Sequence, residues 1–384
     1  MSLLIKNAHL ITPGIDAENV AVLVEGKRIA DVFYAGEELP KAESCYDAAG
    51  NMLMPGFIDM HCHGGMSYET TSLKAEAMPT IAQAKMKEGV TSFCPTTLTL
   101  SQEQLESSLA LIELYRKAPK YTKVIGTHLE GPYVNPKCAG AQNPAYLRNP
   151  DIGEVRCLNA ISPVSLMTYA VELEGAVPFT SQLCNEGIIP SCGHTNATKA
   201  QFMAAKAKGL SRLTHFCNQM TKLHHREIGM VGTGLLDDDV YVEMICDKIH
   251  LCPDMIALAF KVKPIERIIL ITDAMEATGL PDGDYQIGGL AVVVRDGAAR
   301  LKENIDALAG STLQFNRALK NVYEITGLPL KELVRTTSLN QAQEMHINDL
   351  GRIAPGYLAD MALLDNDFNV KAVFIDGAEI VISD

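Results

Sequence analysis

No two of the ten cysteines form a CxxC pair; they stand at 45, 62, 94, 138, 157, 184, 192, 217, 246 and 252. That spacing excludes a zinc ribbon and a dithiol redox site, and in a chain without an export signal it points to reduced, mostly buried thiols. Long apolar runs are missing as well. Stretches such as Ile268 to Ile271 fall far short of the ~20 residues a membrane span needs. The opening MSLLIKNAHLITPG lacks a charged start followed by an apolar stretch and a cleavage site, so a cytoplasmic location is expected. Positive charge is scarce: 33 Lys plus Arg against 46 Asp plus Glu give a formal charge of −13. With no basic face along the chain, nucleic acid and anionic membrane are poor partners. Low-complexity sequence is absent, and no GxGxxG follows the first apolar run, which weakens an open, doubly wound sheet.

What remains is an ordinary globular balance, 47% apolar and 21% charged, with 29 Gly and 18 Pro. The 384 residues are about two and a half times the ~150 expected of one domain, so one large barrel or two domains are expected. Short β-branched segments, Leu3 to Ile5, Ala21 to Glu25 and Ile29 to Val32, open the chain, and Met361 to Leu364 and Ala372 to Ile375 bring the same texture to its end. One small β-sandwich domain made of residues 1–53 and 351–384, with a large domain at 54–350 inserted, accounts for both ends.

Within the insert, eight strand-like runs alternate with helix-like stretches: Phe57 to Met60, Thr91 to Cys94, Val124 to Leu129, Val164 to Thr168, Ile188 to Ser191, Leu213 to Phe216, Tyr241 to Ile245 and Ile268 to Thr272. Amphipathic stretches include Met78 to Lys87, Gln102 to Arg116 and Lys199 to Lys208. Eight such units predict an α/β fold, a TIM-type (β/α)8 barrel, with its active site at the C-terminal ends of the strands.

Metal-binding residue types gather where these runs end. His61 and His63 are two apart in PGFIDMHCHGG and share a face, which sends Cys62 the other way into the core. Glu130 closes the third run in THLEGPY; His194 follows the fifth in PSCGHT, His215 the sixth in LTHFCNQM, and Asp273 the eighth in ILITDAM. Each alone is an ordinary turn or core residue. Four histidines and two carboxylates on one predicted rim are hard to obtain from packing needs, and without a thiolate they suit one or two divalent ions such as zinc, iron, cobalt or manganese. His128, two before Glu130, is placed to line the site or to hold that carboxylate. His9 and His346 read as structural. His224, His225 and Arg226 in KLHHREIG read either as a solvated loop or as an anion site.

PGFIDMHCHGG, HLEGPY, CGHTNA, THFCNQM, HHRE, TDAM, LAGS and the closing GRIAPGYLADMALLD, in this order, resemble the amidohydrolase superfamily and within it the deacetylases of N-acetylglucosamine 6-phosphate. The resemblance spans essentially the whole chain. It implies an ion held by Glu130, His194 and His215, with His61, His63 and the shared Glu130 as a second position, and Asp273 as the proton carrier. It also implies a phosphorylated acetamido sugar as substrate, bound by Ala141, Gln142, Asn218, Gln219, Arg226 and His250, with Leu308, Ala309 and Gly310 lining the sugar pocket just before a helix beginning near Ser311. A homodimer, with Arg226 reaching the neighbouring site, is implied too. The chain departs from the pattern at Gln142, where many members carry His, at Gln219, where a small residue is usual, and at Lys248, which interrupts a customary Asp-Gly-x-His. An amidohydrolase acting on galactosamine phosphate or an amino-acid derivative, and a non-catalytic barrel that binds or assembles, are the competing expectations.

Overall fold

The computed structural model describes residues 2–380. Eight parallel strands run through its larger part: Phe57–Cys62, Val90–Pro95, Thr127–Glu130, Val164–Tyr169, Ile189–Cys192, Arg212–Leu213, Tyr241–Ile245 and Ile268–Ile271. The first two pair with one another, and the last six form one sheet in chain order. Single parallel bridges, Thr96 to His128 and Cys62 to Ala274, join these two sheets at both of their edges. A helix follows every strand, from Ala77–Lys87 after the first to Phe315–Thr326 after the eighth.

Local chemistry explains several boundaries. Ser101 and Thr198 begin their helices with a capping box, their hydroxyls accepting from the amides of Gln104 and Gln201. In Gln102–Lys117 the buried Leu105, Leu109 and Ile112 recur at helical spacing on the inner face, and the helix stops just before Pro119. Three expected boundaries move. The third strand is interrupted, because Lys123–Val124 and Thr127–Glu130 are separate pieces. The sixth is only Arg212–Leu213, the chain turning at His215 with φ 29°. The helix expected near Ser311 starts at Phe315, because Ser311 bridges Ala274 and its hydroxyl donates to the Thr272 carbonyl at 2.5 Å.

Both chain ends meet in one mixed sheet of eight strands. Met361–Leu364 pairs antiparallel with Met52–Pro55, which pairs with Ser2–Thr12, so Leu363 lies opposite Leu53. Ile5, Leu10, Val22, Val24, Met361 and Phe374 form its core. A separate antiparallel sheet of Gly283–Ile287, Leu290–Arg295 and Ala298–Leu301 follows the eighth parallel strand. Sequence reasoning did not anticipate it, although the Gly288-Gly289 and Asp296-Gly297 turns between β-branched residues carry the signal.

Two buried ionic groups join the parallel strands to neighbouring helices. Lys85 Nζ contacts Glu88 at 2.9 Å and Asp59 at 3.3 Å and donates to the Thr272 hydroxyl at 3.1 Å. Arg212, fully buried, is gripped by Glu243 and Glu344. Lys85→Ala would strand two buried carboxylates, and a loss of about 3 to 5 kcal/mol of unfolding free energy is expected from urea titration. Lys27→Ala, which breaks only the exposed pair with Asp376, should cost less than about 1 kcal/mol in the same measurement.

Candidate metal centre and active site

Glu130 ends the third parallel strand with its carboxylate buried, and histidines surround it. Its Oε1 lies 3.2 Å from His194 Nε2, 3.0 Å from His215 Nε2 and 3.5 Å from His61 Nε2. Its Oε2 lies 3.1 Å from His63 Nε2. Asp273 Oδ1 stands 3.4 Å from His61 Nε2 and 3.3 Å from His63 Nε2. All six expected ligands and acid groups therefore meet, as two clusters sharing Glu130.

The hydrogen bonds behind the rings decide what these atoms are. His194 Nδ1 is 2.8 Å from the Cys138 carbonyl and His63 Nδ1 is 3.2 Å from the Thr96 carbonyl, so both nitrogens donate. His61 Nδ1 donates to Glu243 Oε2 at 3.0 Å. In the neutral rings each Nε2 is then a lone pair. Lone pairs and carboxylate oxygens only accept, yet they approach one another to 3.0–3.5 Å. Such a set needs positive charge at its centre, and the donor types fit a divalent ion on Glu130, His194 and His215, with a second on His61, His63, Asp273 and the shared Glu130. Proton affinities report the same demand. Burial opposes charge on His63 and His215, but Asp273 and Glu130 overcome it and hold them at about 10 and about 9. Against burial, His61 and its neighbours hold Glu130 well below the usual carboxylate range and Asp273 below it too.

His194, His215 and Asp273 have φ of 47°, 29° and 51°, a region that non-glycine residues rarely occupy. Three neighbouring functional side chains thus sit on strained backbone held by the surrounding contacts. Glu243, which sequence reasoning missed, supplies the contact at His215 and holds two further side chains. Its carboxylate accepts from His61 Nδ1, from the His215 amide at 3.0 Å and from Arg212 Nε at 2.9 Å. His215 Nδ1 has no partner among the described residues, so the ring is placed through its backbone. The signal for Glu243 was a lone acid within the apolar strand YVEMI.

One cavity opens over the cluster. Of the residues expected to bind the sugar, Ala141, Gln142, Asn218, Gln219, His250, Leu308 and Gly310 line it, together with Leu98 and Ile287, which sequence reasoning did not single out. Gln142 is already engaged, donating to Glu130 Oε2 at 2.5 Å while its oxygen accepts from the Thr99 amide at 2.7 Å. It thereby does what was expected of His128. His128 lies beneath instead, against the His61 ring and bonded to the Thr168 hydroxyl at 2.7 Å; burial and the neighbouring His61 press its pKa down to about 3. Cys62 is buried in the core, as its face predicts. Ala309 does not line the cavity; it is fully buried, its amide bonded to the Ala299 carbonyl at 3.0 Å. Arg226 is exposed beside His225 and away from this cavity. Lys248 pairs with Glu324 at 3.2 Å and is not part of the lining.

A family profile described as the amidohydrolase family matches residues 52–380. The chain belongs to the amidohydrolase family. It is 34% identical to the N-acetylglucosamine-6-phosphate deacetylase of Lysinibacillus sphaericus, over 95% of this chain and 94% of that one. It is 36% identical to the N-acetylgalactosamine-6-phosphate deacetylase of Escherichia coli O157:H7, over 91% and 93%. Among solved structures, an N-acetyl-D-glucosamine-6-phosphate deacetylase mutant of Mycobacterium smegmatis, in complex with N-acetyl-D-glucosamine-6-phosphate, superposes with a TM-score of 0.92 at 29% identity, covering 99% of this chain and 100% of that one.

Because Glu243 bonds both His61 and the His215 backbone, Glu243→Gln should weaken zinc binding by about 10- to 100-fold, the usual worth of a group that orients metal ligands. Competition against a chromophoric chelator measures this; an unchanged affinity would remove Glu243 from the metal-holding machinery.

Proposed function

We propose that this protein is a metal-dependent deacetylase that hydrolyses the acetamide of N-acetylglucosamine 6-phosphate to glucosamine 6-phosphate and acetate. The observation that carries the reading is the convergence of four imidazole nitrogens and the Glu130 carboxylate beside Asp273, in a cavity whose rim bears Asn218, Gln219 and His250. A non-catalytic barrel has no use for that arrangement. The architecture that fits is a closed (β/α)8 barrel, inferred from the two bridges that join the parallel sheets. The domain division that fits is a small β-sandwich unit of residues 1–53 and 351–384, of which residue 1 and residues 381–384 lie outside the described residues; register shifts between Ile5 and Ala8 and between Ala8 and Leu10 in Ser2–Thr12 support it, since bulges bend a strand.

A divalent ion held at this cluster would lower the pKa of bound water from 15.7 to roughly 7 and polarise a carbonyl oxygen. Zinc suits the imidazole-rich donor set, with iron, cobalt and manganese as the other fits. The protein's own groups do the rest. Asp273, ionised and next to His63, takes the proton of the attacking water and returns it to the leaving nitrogen, because an amine leaves poorly as an anion. Gln142 holds Glu130 in register. Asn218, Gln219 and His250 supply polar groups for the sugar and its phosphate, and His250 is itself oriented by Asp247 at 2.6 Å. Arg226 stands free of this cavity and, in a homodimer, reaches the partner's site and supplies a guanidinium for phosphate. Among the described residues no helix is long and apolar enough to cross a membrane, which accords with a cytoplasmic enzyme.

The 36% identity to the Escherichia coli enzyme favours one second reading, N-acetylgalactosamine 6-phosphate as substrate. Acetate release from the two epimers, each with and without its phosphate, separates these readings. Two variants test the roles. His194→Ala should lose the ion and the activity together, whereas Asp273→Asn should retain an ion on Glu130, His194 and His215 while turnover falls by about 100-fold or more. Metal analysis with steady-state kinetics reads both, and full turnover in Asp273→Asn would move the proton carrier elsewhere. Arg226→Ala touches neither cluster, so its effect should appear as about 10- to 150-fold weaker apparent binding of the phosphorylated sugar alone. Equal losses on phosphorylated and unphosphorylated sugars would give that arginine a structural role.

A further inference from the structure

The inserted hairpin brings one side chain into the cavity, and two carboxylates fix it there. Ile287 immediately precedes the Gly288-Gly289 turn, is 2% exposed and lines the cavity. The amide before it, Gln286 N, donates to Glu276 Oε1 at 2.7 Å, and the amide after it, Gly288 N, donates to Glu69 Oε1 at 2.7 Å. Glu69 follows the first parallel strand and Glu276 the eighth. A solvated hairpin turn needs no such anchors. Their effect is to pin the backbone on both sides of Ile287 to the rim of the parallel strands.

Ile287, Leu98 and Leu308 are the branched apolar side chains in an otherwise mostly polar lining. Two of them, Ile287 and Leu98, meet at the Gly288 turn. A Cβ built on Gly310, which has φ +63°, would lie 3.5 Å from Ile287 Cδ1 and 3.1 Å from the Asp273 carbonyl, so the isoleucine and the aspartate flank the same glycine. A Cβ on Gly288 would lie 3.3 Å from Leu98 Cδ1, which brings Leu98 against the same turn. Leu98 is two residues from Thr96, whose carbonyl holds His63 Nδ1. The apolar wall therefore adjoins the side where His63 and Asp273 face each other, whereas Asn218, Gln219 and His250 come from the rim beyond the sixth and seventh strands.

We propose that Ile287, with Leu98, receives the acyl methyl of the substrate and that Ile287 sets the longest acyl group the site accepts. This rests on the deacetylase reading and deepens it. An amide carbon within reach of Asp273 has three substituents. Its oxygen belongs at the cation-seeking cluster. Its nitrogen leads to the sugar, whose hydroxyls and phosphate need the polar rim. The methyl has no polar demand, and burying it beside hydrogen-bonding groups would leave them unpaired, so the apolar wall is the place that costs least. A fixed backbone makes that wall selective, because a side chain that cannot retreat turns each added methylene into a clash.

The test compares kcat/KM for N-formyl, N-acetyl, N-propionyl and N-butyryl glucosamine 6-phosphate in the metal-loaded wild type, Ile287→Ala and Ile287→Val, with metal content and melting temperature measured alongside. Ile287→Ala should raise the propionyl-to-acetyl ratio by about tenfold or more, since one methylene in an apolar pocket is worth roughly 10- to 200-fold. Ile287→Val, a smaller and safer change, should raise it less and in the same direction. Glu276→Ala, which frees the Gln286 amide, should blunt acyl discrimination with Ile287 still present. Equal effects on every acyl length in both Ile287 variants would overturn the proposal while leaving the deacetylase intact. A wild type that turns over none of the four would overturn the N-acetylglucosamine 6-phosphate reading on which this proposal rests, and the proposal with it.

Discussion

Glu130 puts a full negative charge where four imidazole Nε2 atoms converge, and that crowding cannot persist without positive charge at its centre. Hydrogen bonds behind His61, His63 and His194 commit their Nδ1 atoms as donors, so the lone pairs that face Glu130 are a consequence of the Glu243, Thr96 and Cys138 acceptors. The chemistry of the centre is thus written in groups that never face the cavity. Strained backbone at His194, His215 and Asp273 belongs to the same account, because the ladder positions at the strand ends would not by themselves turn these side chains inward.

Holding that centre needs a rigid base. Arg212 joins its own strand to Glu243 on the next one and to Glu344 on the helix Leu339–Glu344, and Lys85, on the helix after the first strand, reaches Asp59 on that strand and Glu88 at its own helix end. Desolvating these ions offsets much of their attraction, so they are poor sources of net stability. Their value here is geometric. Asp59 accepts from the Thr272 hydroxyl at 2.6 Å, which ties the first strand to the eighth directly below His61 and Asp273. Burial and the opposing Glu243 raise Glu344 to about 7 even with Arg212 beside it, a measure of how much negative charge that one arginine must balance.

The six residues of the cluster were legible in the sequence because they occupy strand ends, where polar residues interrupt apolar runs and the barrel rule says chemistry belongs. Glu243, Arg212 and Asp59 were not, because an acid or base within a strand reads as the polar half of an alternation, and only the fold shows which strands it joins. His128 was misjudged for a related reason. Two-residue spacing puts it on the face of Glu130, but the strand runs inward, and two residues of depth carry it below the cluster to Thr168. Ile287 was invisible for distance: it is 14 residues beyond Asp273 in the numbering, and only the turn of an inserted sheet brings it back. The helix expected at Ser311 failed because tertiary pairing with Ala274 outweighed a favourable capping residue.

The division of labour that results separates two kinds of constraint. Cation-holding groups arise from the ends of the parallel strands themselves, where backbone ladders set positions tightly. The side chain placed against the acyl group arises from an insertion whose own contacts with the strands are few, and which depends on Glu69 and Glu276 for its register. Moving a ligand by an ångström would undo the reaction, so it belongs on the rigid scaffold. Changing the depth of an apolar wall alters which amide fits while the cation-binding atoms stay where they are. An inserted hairpin anchored by two acids is therefore the part of this molecule whose sequence can vary with substrate while the reaction stays the same.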